Sequence, residues 1–196
     1  QSSYGTFIGR WSGQKGGGYL NTCVGVMSGF NLVGNNQKNT LIGGWAGSSI
    51  TGAEGTINVA IGHFAMLNLN DGTGNIGIGD FTLRGINDGD YNVGIGFQAG
   101  YNLKDHQDNV FIGGRTARSG AGDTIITGGS YNSIIGAYGA YDLTTGYSNS
   151  MLGYKTGEDI TEGNKNIFIG YQAGDTLTTG TDNVIIGYDA DVSDEE

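Results

Sequence analysis

The pentapeptide Asn-x-x-aliphatic-Gly occurs ten times in this chain at an almost constant pitch. The copies begin at Asn21, Asn39, Asn58, Asn75, Asn92, Asn109, Asn132, Asn149, Asn166 and Asn183. Six of the nine steps are seventeen residues; the others are 18, 19 and 23. A fold built around one irregular core has no use for the same pentapeptide at a fixed interval, whereas a stack of equivalent coils requires it. The pattern therefore predicts an all-β chain, a parallel β-roll or β-solenoid of about 17-residue coils.

Counting each repeat from its Asn, position 4 is always aliphatic, position 5 always Gly and position 8 always small. Position 12 is aliphatic in eight copies, and position 15 is usually Gly. Two aliphatic-centred segments, each closed by Gly, predict two short strands per coil joined by tight turns. Positions 2 and 4 share one strand face by the two-residue period. Taken as the inward face, they leave position 3 (Leu41, Phe111, Ile134, Met151, Phe168, Ile185) pointing the other way. Forty glycines and no 3.6-residue stripe argue against helix. The absence of proline suits strands that must each donate N–H groups to a neighbouring coil. Asn at the same place in every coil is expected to form a ladder of side-chain amides.

The organisation follows from the pitch. Residues 1–20 form an N-terminal cap or irregular first coil, in which Gly5-Thr6-Phe7-Ile8-Gly9 imitates the motif without its Asn. Residues 21–190 are the repeat region, and 191–196 an acidic tail. The 23-residue step is seventeen plus six, which places a six-residue insert within 117–125 as a loop. Each coil offers few inward apolar positions, and strands apolar on both faces are usually covered on both. Self-association is the economical cover.

Composition removes several classes of function. The net charge of −10 and nine scattered basic residues do not form the basic stripe that nucleic acid requires. No apolar run approaches twenty residues, so no membrane insertion is expected, and no secretion signal is visible from Gln1. Cys23 stands alone and reads as a small buried hydrophobe. His63 and His106 fall in different coils without a nucleophile at a suggestive spacing, so no catalytic residue is assigned and the chain is not read as an enzyme. Gly94-Ile95-Gly96-Phe97-Gln98-Ala99 matches a dinucleotide fingerprint only because its glycines are repeat positions. Acidic turns such as Asn87-Asp88-Gly89-Asp90 lack the repeat of calcium-loaded rolls, and no metal or cofactor is expected.

The run from Asn166 through Gly180, with Asn92-Val-Gly-Ile-Gly-Phe-Gln-Ala-Gly100 and Asn183-Val-Ile-Ile-Gly-Tyr-Asp-Ala190, carries a resemblance. It resembles the Asn-Thr-Ala-aliphatic-Gly-Tyr-x-Ala-Gly units of trimeric β-roll fibre proteins: phage tail fibres, tail-fibre-like bacterial adhesins and, at a shorter period, the heads of trimeric autotransporter adhesins. The resemblance implies a left-handed roll assembled as a parallel homotrimer, located outside the cell, on a cell surface or on a virion. It implies an adhesive fibre segment that recognises a cell-surface glycan or protein. The alternatives are a purely structural shaft with its binding tip elsewhere, or a monomeric solenoid acting on polysaccharide or binding ice. Recognition belongs at variable positions on a constant scaffold. The candidates are Trp45, Phe64 and Phe81 at position 7, Trp11 and Tyr19 in the first coil, and Arg115 and Arg118, read as contributions of the insert.

Overall fold

A computed structural model describes residues 4–15, 18–33, 35–51, 55–118 and 129–192. Each coil contributes one three-residue strand at positions 2–4. In chain order these are β1 (Thr6–Ile8), β2 (Thr22–Val24), β3 (Thr40–Ile42), β4 (Val59–Ile61), β5 (Ile76–Ile78), β6 (Val93–Ile95), β7 (Val110–Ile112), β8 (Ser133–Ile135), β9 (Ser150–Leu152), β10 (Ile167–Ile169) and β11 (Val184–Ile186). They form a single sheet in the order β1 to β11. Each neighbouring pair is parallel and matched position for position, as Val93 with Val110 or Ile167 with Val184. The chain is thus an all-parallel β-solenoid of about 17-residue coils, and β1 shows that the degenerate motif at Gly5 forms a coil of its own.

The second strand expected near position 12 does not form among the described residues; that side of the coil is a succession of turns. Coil-to-coil bonding continues there nonetheless: the Gly29 N–H donates to the Ala46 carbonyl at 2.9 Å and the Gly47 N–H to Ala65 at 3.0 Å. The backbone departs from a strand because it must turn repeatedly. Position 5 glycines have φ between 128° and 148°. A Cβ at almost any of them would strike the carbonyl of the position-5 glycine one coil on, so only Gly lets successive coils approach this closely.

The Asn ladder forms as expected. Each Asn Oδ1 accepts both the backbone N–H and the Nδ2 of the next Asn, as Asn132 does from Asn149 at 3.0 and 3.0 Å. The same Nδ2 donates to the carbonyl near position 15 of its own coil, as Asn149 to Gly163 at 2.8 Å, so one side chain both links two coils and closes its own. Nine such links run from Asn21 to Asn183.

The assignment of faces is inverted relative to the sequence reading. Position 3 faces the core: Cys23, Leu41, Ala60, Phe111, Ile134 and Phe168 are fully buried. Buried residues at positions 8 and 12, such as Ala46, Leu32, Ile86 and Leu143, complete the interior. Positions 2 and 4 form the outer face of the sheet. The two-residue period fixes which residues share a face but not which face is inside. Two coils carry glycine at this core position, Gly77 and Gly94. A Cβ at Gly77 would lie 2.9 Å from Met66 Cε and one at Gly94 2.8 Å from Leu83 Cγ, so the missing side chains are replaced by position 9 of the preceding coil. Where position 3 is large, position 9 before it is small: it is Ala117 before Ile134 and Ala140 before Met151, and Gly before the two phenylalanines, where a Cβ on Gly100 would lie 2.9 Å from the Phe111 ring and one on Gly157 3.1 Å from Phe168.

Candidate ligand-binding edge

Beyond the glycine turn at position 5, positions 7 and 10 of a coil meet at one edge of the solenoid. Tyr138 and Tyr141 place their ring centroids 5.7 Å apart there, and Lys155 Nζ lies 2.8 Å from Glu158 Oε2. Stacking aligns each position into a column along the axis. The position 7 backbone is left-handed in every coil, with φ from 52° to 63° at Trp11, Met27, Trp45, Phe64, Phe81, Gln98, Arg115, Tyr138, Lys155, Gln172 and Asp189. Gly adopts that conformation without steric cost, and bulky residues do not. No coil uses it. The residue before each ladder Asn, such as Lys38, Tyr91 or Lys165, shares this conformation, so it is a recurrent turn of the coil, and at position 7 it sets side chains in line along the edge.

Trp45, Phe64 and Phe81 run down this column with centroid separations of 6.1 and 5.2 Å. Trp11 belongs to the same column but is separated by Met27, and the Arg10 guanidinium lies 3.8 Å from its ring centroid. Tyr19 is elsewhere: its carbonyl accepts the Lys38 N–H on the other turn of the coil, away from the remaining candidates.

Arg115 and Arg118 occupy the regular part of their coil, not the insert. Thr116 and Ala117 between them are buried as positions 8 and 9, and the Ala117 N–H donates to the Gly139 carbonyl at 2.9 Å. The loop expected within 117–125 otherwise lies outside the described residues. Each guanidinium sits between two aromatic rings from the coils before and after it. Arg115 Cζ is 5.7 Å from the Phe97 centroid and 5.5 Å from that of Tyr138, and its Nη1 donates to Tyr138 Oη at 2.6 Å. Arg118 Cζ is 5.8 Å from both Tyr101 and Tyr141. It donates from Nε to Gln98 Oε1 at 2.9 Å and from Nη1 to Tyr141 Oη at 2.7 Å. Arg84, one coil before Tyr101, lies 5.4 Å over that ring, and its Nε is buried without a hydrogen-bond partner among the described residues. Position 10 thus reads Arg84, Tyr101, Arg118, Tyr141 along the axis.

The sequence reading missed Arg84, Phe97, Gln98, Tyr101, Tyr138 and Tyr141 as site residues. The available signal was the three-residue spacing Arg115–Arg118 repeated as Tyr138–Tyr141 one coil later. Farther along, the edge turns acidic. Lys155 is held by Glu158, whose hydrogen bond raises the ammonium pKa, and Asp159 is raised first by burial and then by Glu158 and Asp175.

Other chemistry is placed as follows. His63 Nδ1 lies 3.3 Å from Asp80 Oδ1, and the ring packs 3.9 Å from Phe64, extending the aromatic edge. Burial pushes the Cys23 thiol up to about 12, against a hydrogen bond with Ser28 that lowers it, so the sulfur is protonated and not nucleophilic at neutral pH. Gly94 and Gly96 of the apparent dinucleotide fingerprint belong to β6 and the turn after it, and a turn, not a helix, follows. No group of three or more His, Cys, Asp or Glu side chains able to hold a metal occurs among the described residues. Comparison with protein-family models, curated proteins and solved structures finds no match to this chain.

Proposed function

We propose that this chain is a segment of an extracellular adhesive fibre, carried on a cell surface or virion, in which three parallel copies associate around one axis and present their outer edges to a surface glycan. The observation that carries the reading is the outer face of the sheet. Positions 2 and 4 of successive strands leave Ile42, Ile78, Ile135, Ile169 and Ile186 between 37 and 63% exposed. Exposed apolar residues immediately before the ladder Asn (Leu20, Ile57, Tyr91, Tyr131) and at position 6 (Phe97, Tyr154, Tyr171, Tyr188) flank them on either side.

Eleven strands about 4.8 Å apart make this strip roughly 50 Å long, an apolar area of the size that marks an interaction surface. Parallel sheets are ordinarily covered on both faces, and here the core covers one. A second copy matches the strip in length and repeat. A shallow groove lined by Ser133, Ile135, Ser150, Leu152, Ile167 and Ile169 offers a notch for a partner's side chain. The number three and the left-handed winding come from the resemblance to trimeric β-roll fibres.

Light scattering tests the assembly. Three chains of 20.3 kDa give about 61 kDa, and replacing Ile78 and Ile135 with Asp is expected to yield monomers that retain β circular dichroism. A wild-type mass near 20 kDa would favour the monomeric solenoid instead.

A further inference from the structure

We infer that the edge formed by Arg84, Gln98, Arg115, Arg118, Tyr138 and Tyr141 binds an acidic glycan, one whose sugar rings carry carboxylate or sulfate groups, lying along the solenoid axis. The inference deepens the fibre reading and rests on it for the surface that presents such a glycan.

Three of the nine basic residues of a chain with net charge −10 gather here, within three coils. Arg115 forms no ion pair among the described residues, and its one side-chain hydrogen bond, to Tyr138 Oη, engages one of five N–H groups. The Phe97 and Tyr138 rings hold its planar fork in place, which is the preorganisation that two-oxygen recognition of a carboxylate or sulfate requires. Arg118 is held in the same manner between Tyr101 and Tyr141. Arg84 and Arg118 are two coils apart, about 10 Å along the axis, close to the length of one disaccharide. Tyr138 and Tyr141 add hydroxyls and ring faces, and sugar rings recognise both.

The columns also give a direction. Toward the C-terminus the edge passes to Glu158 and Asp175, which repel a polyanion. Toward the N-terminus it passes to Phe81, Phe64 and Trp45, whose rings continue at coil spacing. The glycan therefore extends from Tyr141 toward Trp45.

The test is calorimetric titration of the full chain with oligogalacturonate, with heparin oligosaccharide, and with methyl-esterified oligogalacturonate as the neutral counterpart. The expected result is binding of one or both anionic probes, weakened by salt, and no binding of the neutral ester. Carboxylate or sulfate is then assigned by which anionic probe binds. The double substitution Arg115→Gln, Arg118→Gln should weaken binding at least tenfold without changing the melting temperature or the mass. Arg115→Lys, which keeps the charge and loses the planar fork, should weaken it as well. Unchanged affinity in the double variant overturns the proposal, as does failure of both anionic probes at millimolar concentration. Binding of the neutral ester that Phe64→Ala abolishes and the arginine variants do not would overturn it while leaving glycan recognition intact. The light-scattering mass judges the fibre reading independently of all these results.

Discussion

An Asn of the ladder touches three coils' worth of polar groups from one position, and its value depends on where it stands in the column. Asn149 donates to Asn132 Oδ1 and to the Gly163 carbonyl, and accepts from the backbone and side chain of Asn166. All of these groups are shielded from water. Asn183, at the end of the described ladder, donates to Asn166 and accepts from no further rung. Leaving a buried polar group unpaired costs about 1–3 kcal/mol. Asn149→Ala is therefore expected to lower the unfolding free energy by roughly that amount or more, since several partners lose their bond. Asn183→Ala should cost distinctly less. Urea denaturation monitored by circular dichroism measures both, and equal losses would mean that the ladder is not cooperative along its length. The ladder itself was legible in the sequence, because ten identical residues in register have few other uses. The arginine–aromatic sandwiches were not: Arg115 and Arg118 stood out as cations, but their partners Phe97, Tyr101, Tyr138 and Tyr141 become neighbours only when coils are stacked.

At the scale of the coil, the interior is thin, and each layer is completed by the next. Position 9 of one coil and position 3 of the following one share a single space. Leu83 fills it above Gly94, and Phe111 fills it below Gly100. Leu83→Gly should open a cavity and cost about 2–5 kcal/mol, while Gly94→Leu should clash with Leu83 and Thr82. Combined, the two substitutions recreate the Gly100–Phe111 arrangement one coil earlier and are expected to recover most of the loss. A double-mutant cycle on thermal melts tests this, and strict additivity would show that the two positions do not share the space. This exchange also explains the inverted faces. A sequence reader scoring each coil alone sees Gly77 and Gly94 as weak core positions and the unbroken aliphatics at position 4 as strong ones. Only pairing across coils shows that Met66 and Leu83 supply the missing volume. The absent second strand has a similar origin. An aliphatic residue at position 12 was enough to predict a strand, yet Leu32, Ile86 and Leu143 are buried from irregular backbone that follows a turn.

At the scale of the whole molecule, the strands of the described residues contact only the strands before and after them, a one-dimensional array from which a coil can be removed without disturbing the rest. Removing residues 75–91 joins coils that begin at Asn58 and Asn92 and places Met66 over Gly94, the same match that Met66 makes with Gly77. Removing residues 92–108 has the same length but places Leu83 against Phe111. The first deletion is expected to give a folded rod about 4.8 Å shorter with nearly unchanged melting temperature. The second should melt several degrees lower. Scanning calorimetry distinguishes them, and equal melting temperatures would show that backbone repetition alone governs the stack.

The size matching between positions 9 and 3 thus does more than fill space. The backbone, with its interchangeable glycine turns and identical Asn rungs, would let any coil settle on any other, and a growing stack could skip a turn and close on the wrong neighbour. Bulky side chains facing small ones vary along that uniform backbone, so that some skipped pairings clash, as Leu83 against Phe111 would, while others, as Met66 over Gly94, still fit. A repetitive protein can in this way remain monotonous in its hydrogen bonds and still discriminate among its own coils at chosen points along the stack.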